Sequence, residues 1–438
     1  MPLWLLIGLG VIGLAAVVCI VGPVGPTTRT AWIITVAAPF AILVPPIFSY
    51  AFAFILFGLI VVDAIAARGQ TAASRKVSAI LPRGVPVELA ADASPPPASR
   101  ALLRQPSTAD LAVNPSIDSA PLAASITGIR RGRHTLPELV MRITGPLGLA
   151  SWRRLGVPSA EILVFPDVIA AERIVARVRR NRFSDPSRIR RGPLGLGTEF
   201  EAVRDYQPDD DIRQVNWRAT ARVAKPMSNQ FRIEQDRDVI AVVDCGRLLA
   251  APIGNLTRLD VTLDAVAALV RSADVVGDRA GFLAFDDQVR REVTPRRDAG
   301  ERVVRASFDL EPRLTDSDYE LAFRIVSRRK RAFVCVFTDL VEERAARPLL
   351  DAMPWLIRKH RVVIASIADP ELSATLTIPP RGVRDSYLAS AALDVLEARS
   401  LVVANLQRSG AQVIEAPIAT FSESVVAAYL DAKRRNRI

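Results

Sequence analysis

Three regions of different pattern predict a chain in three parts: two amino-terminal transmembrane helices, a small β-sandwich, and a doubly wound α/β domain. The first sign is a pair of long apolar runs near the start of the chain. The second is a series of short β-type segments between turn residues over 77–166. The third, over 236–438, is an alternation of fully apolar strands with helical stretches. A chain of 438 residues is too long for one core. Its hydrophobic content of 50% and mean hydropathy of +0.22 are high for a soluble protein and point first to membrane segments.

The membrane hairpin is expected over 1–66. Leu3 to Gly22 carries no charge and is long enough to cross the hydrocarbon layer. A cleaved signal peptide is the alternative, but no basic segment leads this run and a second apolar run follows at once. Ala31 to Val62 is apolar throughout, interrupted by Pro39 and by Pro45-Pro46. At about 1.5 Å per residue it exceeds one span. It reads as one long second helix, kinked or broken at the prolines, with a third span as the alternative. The loop between the runs holds Arg29, whereas Arg68, Arg75, Lys76 and Arg83 follow the second run. The positive-inside rule then places both chain ends in the cytoplasm and the short loop outside. Cys19, Cys245 and Cys335 form no CxxC pattern, which fits a reducing compartment and argues against disulfides or structural zinc.

The β-sandwich is expected over 77–166, with strands at Val85–Ala90, Ala123–Ile129, Glu138–Ile143 and Ile162–Phe165. ASPPPAS (Ala93–Ser99) reads as a surface loop, because prolines cannot donate to a sheet ladder, and Ser107–Ser119 reads as a second loop. A connector and a long loop follow over 167–235. Asp167–Arg191 is compatible with a helix and dense in arginine, either a solvated helix and tail or an electrostatic anchor to anionic lipid or an acidic partner.

Strands Val239–Val243 and Ala332–Phe337 are fully apolar, and Val362–Ile367 reads as a third buried strand, as strands covered on both faces do. Arg279–Phe285 and Gln412–Glu415 complete the strand set. Helical spacing marks Leu259–Val276, Glu301–Leu310, Tyr319–Ser327, Glu343–Arg358, Asp385–Gln407 and Ser422–Arg434. Strands joined by crossover helices give a mostly parallel sheet, with ligands at the carboxyl ends of central strands. Those ends are Asp244 and Thr338-Asp339.

That pair of acidic strand ends resembles the von Willebrand factor A domain. There, an Asp-x-Ser-x-Ser motif, a distal Thr and a distal Asp bind a divalent cation. Upstream, Glu199-Phe200, Arg204-Asp205-Tyr206, Pro208 to Asp211, Arg213, Asn216-Trp217 and Ala219 to Arg222 resemble the signature of the bacterial membrane proteins called domain of unknown function 58. Arg130–His134 (RRGRH), Gly145–Leu149 (GPLGL) and Ile162–Pro166 (ILVFP) are similar to further segments of that family. The resemblance implies two amino-terminal spans and a MoxR-type AAA+ ATPase as protein partner; with the positive-inside reading, the expectation is an anchor in the bacterial inner membrane with cytoplasmic soluble domains. Two positions depart from the pattern: Asp209 stands for the usual Gly, and Asn216 for the usual Asp before Trp217.

The binding crevice is expected at Asp244, Arg247, Thr315, Thr338 and Asp339. The two serine positions of the cation motif are Gly246 and Leu248, which cannot ligate, and Thr315 is the candidate distal Thr. Asp244 and Asp339 are weak candidates for Mg²⁺, and the expected reading is that no metal or other cofactor is held. Arg247 sits in the broken motif. It either bridges Asp244 and Asp339 as a fixed cation or points to solvent while Asp244 caps the next segment. The signature loop is expected to be set by Glu199, Arg204, Tyr206, Asp210, Asp211, Arg213, Trp217 and Arg222. An arginine–carboxylate network would fix it against the carboxyl edge of the sheet, with Trp217 as a core anchor.

Other chemistries have little to work with. GPLGLG (Gly192–Gly197) lacks the Lys-Ser/Thr of a P-loop, and GLGVIG (Gly8–Gly13) lies inside an apolar run. Two histidines, His134 and His360, stand far apart in sequence, and no nucleophile has a convincing base, so no enzyme is expected. The formal charge of +11 raises nucleic acid, but an aromatic content of 6% and the absence of a recognition motif argue against it. The chain is expected to be a membrane-anchored interaction or scaffold protein that touches lipid and a protein partner.

Overall fold

The computed structural model of the protein describes residues 24–43, 45–69, 71–183, 199–207, 210, 212–232, 237–340, 343–377, 379 and 381–435. The first expected span, Leu3–Gly22, the arginines from Arg188 to Arg191, both glycine-rich motifs, Asp209 and Asp211 lie outside these residues. Contacts divide the chain into two units, 1–164 and 165–438.

The first unit opens with strand β1 (Val24–Pro26) and helices α1 (Thr28–Leu43) and α2 (Pro46–Ala66). Eleven antiparallel strands follow: β2 (Ala72–Val77), β3 (Ile80–Pro82), β4 (Pro86–Ser94), β5 (Arg100–Arg104), β6 (Leu111–Asn114), β7 (Ile117–Ser119), β8 (Leu122–Gly128), β9 (Gly132–Leu136), β10 (Leu139–Thr144), β11 (Ala150–Val157) and β12 (Ala160–Phe165). They form sheets of order β1-β11-β10-β5-β7, β2-β4-β8-β6 and β3-β12-β9. The alternating burial of β8 and β10 turns Leu122, Ile126, Leu139 and Met141 into one core with Leu81, Leu89, Leu103 and Ile162. The segment read as a loop at Ser107–Ser119 contains two of these strands, β6 and β7.

The apolar run Ala31–Val62 is two helices and not one bent helix. The chain breaks at Pro45, which is extended (ψ 138°), and Pro46 starts α2 at the position where its missing N–H costs nothing. Among the described residues one helix, Ile47–Ala66, is long and apolar enough to cross a membrane. α1, at 16 residues, reaches about 24 Å.

Both helices are rooted on the same turn, the GPLGL segment. Thr27 and Thr30 donate their hydroxyls to the Gly148 and Leu149 carbonyls at 2.5 Å. The Asp63 carboxylate, fully buried at the end of α2, accepts the backbone N–H groups of Leu147, Leu149 and Ala150 at 2.7–2.8 Å. Trp152 donates its indole N–H to the Ala64 carbonyl at 2.6 Å. A Cβ on Gly145 would run into Asp63, which gives the glycine of this motif its reason. The loop carrying Arg29 was expected across the membrane from the β domain. Instead β1 is the edge strand of that domain's five-stranded sheet, with Val24 opposite Trp152.

The second unit begins with α3 (Val168–Phe183), which lies along α5 (Arg258–Val276) and buries Ala171 and Val175. The expected connector helix is therefore part of this unit. Hairpin β13 (Glu199–Asp205) and β14 (Met227–Arg232) encloses a 3₁₀ turn at Ile212–Gln214 and α4 (Trp217–Val223). The main sheet has the order β19-β18-β15-β20-β21-β22. It comprises β15 (Asp238–Asp244), β18 (Arg279–Phe285), β19 (Val289–Arg296), β20 (Ala332–Phe337), β21 (Arg361–Ile367) and β22 (Gln412–Ala416); β16 (Pro252–Ile253) and β17 (Leu256–Thr257) form a small ribbon. Five strands are parallel and β19 is antiparallel at the edge. The remaining helices are α6 (Gly300–Ser307), α7 (Tyr319–Ser327), α8 (Glu343–Ala352), α9 (Pro354–Ile357), α10 (Pro370–Thr377), α11 (Val383–Arg408) and α12 (Ile418–Arg434). Side chains alternate to two cores. One holds Val239, Ala241 and Val243 with Leu263, Phe421 and Tyr429; the other holds Ile240 and Val242 with Phe323, Leu349 and Leu406.

Candidate functional site

Parallel pairing of β15 with β20 brings the two strand-end acids, 95 positions apart by number, to one edge of the sheet. Each is nearly or fully buried, and each is neutralised differently.

Asp244, with no exposed surface, is surrounded by neutral donors. Its Oδ1 accepts the Gly246 N–H at 2.8 Å and the Ser317 hydroxyl at 2.5 Å. Its Oδ2 accepts the Tyr319 hydroxyl at 2.5 Å and the Thr338 hydroxyl at 2.8 Å. A carboxylate holding this many hydrogen bonds tolerates burial without a cation. Burial, and next the Asp244 charge, push the Tyr319 phenol well above its ordinary range, so it stays protonated and donates.

Asp339 is held by guanidinium groups. Arg258, the first residue of α5, reaches its Oδ2 at 3.1 Å and also binds Asp369 at 2.7 Å. Arg399, midway along α11, donates to its Oδ1 at 3.1 Å, to the Ser366 hydroxyl at 2.8 Å and to the Ile367 carbonyl at 3.1 Å. Arg399 also pairs with Glu415 at 2.6 Å. Arg258 and Arg399 are both 4% exposed. A capping box between Thr257 and Asp260 fixes the start of α5 and thereby aims Arg258.

Arg247 does not bridge the two acids. It pairs with Asp316, and its side chain is half exposed. Thr315 contributes its carbonyl, which accepts the Arg247 N–H at 2.9 Å, while its own hydroxyl is buried with no hydrogen-bond partner. The functional hydroxyl in this stretch is Ser317, which the sequence reading passed over. A Cβ on Gly246 would collide with Ser317 Oγ and the Thr315 carbonyl. Ser317 thus fills, from another loop, the space that a serine side chain at 246 would need. Both oxygens of Asp244 accept hydrogen bonds, and both oxygens of Asp339 are paired with arginines.

In the signature segment, Asp210 is buried and organises the turn. It accepts Arg204 at 2.5 Å and the Gln207 N–H at 2.9 Å, and its carbonyl accepts the Tyr206 hydroxyl at 3.2 Å. These bonds link Arg204, Tyr206, Gln207 and Asp210 within the segment. Asn216 caps α4 by accepting the Ala219 N–H at 3.0 Å, a role Asp shares, and its amide donates to the Asn229 side-chain oxygen at 2.8 Å, which an Asp carboxylate could not do. Glu199 pairs through its backbone with Arg232, and Arg213 and Arg222 are exposed. Trp217 was expected in the core but is 70% exposed, beside Ile212 at 71% on the same segment. α4 is one short helix on a two-stranded hairpin, too small to bury an indole.

The geometry defines a class: a doubly wound α/β domain whose strand-end acids are saturated by hydroxyls and arginines, carrying an ordered hairpin with exposed apolar residues. Residues 202–385, less than half of the chain, match the family model described as protein of unknown function DUF58. Uncharacterised proteins of Mycobacterium tuberculosis and Mycobacterium bovis are 26% identical over 183 residues, covering 40% of this chain. The chain spans 56% of the length of these relatives. A solved structure described as an uncharacterised membrane spanning protein from Vibrio fischeri is 17% identical and covers 45% of this chain and 98% of its own. Its TM-score of 0.17 is too low to carry an argument about fold.

Proposed function

We propose that the protein is a membrane-anchored interaction or scaffold protein and not a catalyst. The observation that carries this reading is the exposure of Trp217 and Ile212 on the ordered signature segment, inside the region that matches the family model. Exposed Trp is uncommon on a surface with no partner and is enriched at the centres of protein interfaces. The α/β domain reads as von Willebrand factor A-like, supported by its strand order, its antiparallel edge strand and the acids at the ends of β15 and β20. Its crevice reads as metal-free, with Ser317, Tyr319, Arg258 and Arg399 standing where a cation would otherwise be needed. The partner is a MoxR-type AAA+ ATPase, on the strength of the family resemblance.

The anchor reading rests on α2, whose lipid-compatible surface includes Phe54 at 80% exposure. Because β1 belongs to the β domain, Arg29 lies on the same side of the anchor as Arg68, Arg75, Lys76 and Arg83. All five cations then favour a cytoplasmic β domain in the inner membrane, where the earlier topology divided them. The test is capture of partners by the full chain from detergent-solubilised membranes. Wild type is expected to enrich an AAA+ ATPase, and Trp217→Ala with Ile212→Ser to lose it, with folding stability changed by no more than about 0.5 kcal/mol. Failure of wild type to enrich such an ATPase would sink the partner; undiminished capture by the variant would sink the surface.

A further inference from the structure

The foot of the membrane anchor carries a feature that neither the crevice nor the signature hairpin uses. As a span, Ile47–Ala66 reaches about 30 Å, the thickness of the hydrocarbon layer, so the end of α2 lies where that layer meets the headgroups. The hydrogen bonds that root α2 on the β domain then fix how deep that domain sits. Asp63 and Ala64 belong to the last turn of the helix, and their bonds hold Leu147, Leu149, Ala150 and Trp152 at the same level. α1 starts at this level too, because the Thr30 hydroxyl is tied to the Leu149 carbonyl.

Indoles, an exposed leucine and guanidinium groups gather at this depth. Trp152 is half-buried, and the Arg68 and Arg154 guanidinium groups lie over its ring at 6.0 and 5.4 Å from the centroid. Arg154 is occupied: it donates to the Arg68 and Gly69 carbonyls at 2.6 and 2.9 Å and so fastens the chain that leaves α2. Arg29 lies over the GPLGL turn, where a Cβ on Gly148 would come within 3.1 Å of its Nη1. Leu147, in the same turn, is 49% exposed, and Trp32, in the first turns of α1, is 70% exposed. Among the described residues the exposed Arg29 and Arg68 guanidinium groups make no ion pair and no side-chain hydrogen bond. Asp63, the acid of this joint, is buried and has both oxygens on backbone N–H groups.

We propose, on the reading of α2 as a membrane span, that the foot of the anchor is a binding surface for anionic phospholipid, with Arg29 and Arg68 on the headgroups and Trp32, Leu147 and Trp152 at the edge of the acyl chains. Indoles favour this layer because one end of the ring is apolar and the other carries a donor. A cation close to an anionic leaflet is attracted to it, and the attraction fades within a Debye length, so depth decides which arginines count. The Gly148 turn and the Trp152 ring hold Arg29 and Arg68 at that depth. Guanidinium groups also match phosphate geometry. The surface therefore selects lipid charge, which goes beyond setting the orientation of the chain.

Native mass spectrometry of the full chain in detergent, titrated with phosphatidylglycerol and with phosphatidylcholine of the same acyl chains, reads the preference directly. We expect phosphatidylglycerol to bind at least about tenfold more tightly, with the difference shrinking as salt is raised. Arg29→Gln with Arg68→Gln, both exposed positions, should bring the two lipids to within about threefold of each other. Arg29→Lys with Arg68→Lys should keep most of the difference, because the charge stays at the same depth. Arg104→Gln, exposed on β5 and further along the same sheet, should leave it unchanged. A wild type that binds both lipids equally would overturn the proposal, as would a preference that the double glutamine variant retains. The anchor reading fails by a different result, release of the chain from membranes by alkaline carbonate. A chain that resists carbonate yet ignores lipid charge keeps its anchor and loses this surface.

Discussion

Asp244 and Asp339 end neighbouring parallel strands of one sheet, are equally inaccessible to water, and solve the same electrostatic problem by opposite means. Asp244 accepts hydrogen bonds from two side-chain hydroxyls, a phenol and a backbone N–H. Asp339 is paired with Arg258 and Arg399, and also accepts the Ser366 hydroxyl at 3.1 Å and the Leu340 N–H at 2.9 Å. The difference follows from what surrounds each strand end. β15 is followed by a glycine turn into which the 315–319 segment folds, so short polar side chains arrive from close by. β20 ends next to the start of α5 and the middle of α11, from which the long arginine side chains reach across, while the neighbouring strand β21 adds the Ser366 hydroxyl.

Breaking the Asp339 side should cost most. Asp339→Ala leaves two buried guanidinium groups facing each other with Glu415 and Asp369 as their remaining carboxylates. We expect a loss of about 3–5 kcal/mol, the usual cost of stranding a buried charge. Chemical denaturation of the full chain in detergent measures it. A loss below about 1 kcal/mol would mean that Asp339 does not need its arginines. A double-mutant cycle with Arg399→Met then isolates the pair, with strong coupling expected because the two groups touch.

The sequence exposed the α/β half well because β20 is apolar on every residue, and β15 and β21 are apolar through their middles with polar residues at their ends and at Ser366, a pattern that few other elements produce. β19 escaped notice for the opposite reason. Its sequence, VRREVTPR, belongs to an edge strand with one face in water, and charge hides the alternation. The same effect concealed β11, ASWRRLGV, in the first unit. Asp244, Thr338 and Asp339 were legible as strand ends. Arg258 and Arg399 were not, since a single arginine on a helix looks like a solvated face until the fold brings an acid to it. Ser317 was within reach, lying two residues from Thr315 in LTDSDYE, a cluster of hydroxyls and acids ahead of a helix. Trp217 went the other way: large aromatics are usually buried, and nothing local marks the exception.

The Asp244 side should yield in smaller steps. Gly246→Ser restores the residue type that the cation motif would place there, but its Cβ meets Ser317 and the Thr315 backbone. Overpacking of this kind should cost about 1–3 kcal/mol. Adding Ser317→Gly to that variant removes one of the two colliding groups and should recover part of the loss, even though a second hydrogen bond to Asp244 is gone. If the double variant is less stable than either single, Ser317 is not occupying the space of a residue-246 side chain, and the account of why this motif diverged fails.

Tyr319→Phe tests the difference between the two acids most directly, because it removes a single hydroxyl group and leaves the ring in place. The phenol donates to Asp244 Oδ2 and lies 2.7 Å from the Thr338 hydroxyl, so its removal at neutral pH should cost about 1–2 kcal/mol. The two acids should also part company in alkali. The folded phenol titrates above its ordinary value, because burial and then Asp244 disfavour the phenolate. Its contribution is fully present below the unfolded value of about 10 and is lost as pH rises from there through the folded value. Arginine stays charged over this range, so the Asp339 side has no corresponding loss. The buried Cys335 thiol is also raised, by burial, and destabilises the fold in the same direction from slightly lower pH. Wild type alone therefore cannot assign the slope. The difference between wild type and Tyr319→Phe can: the stability gap between them should narrow by about 1 kcal/mol between pH 9 and pH 11, the linkage slope for one proton. A gap that stays constant over that window would mean that Tyr319 titrates normally, and that Asp244 is open to solvent in a way Asp339 is not.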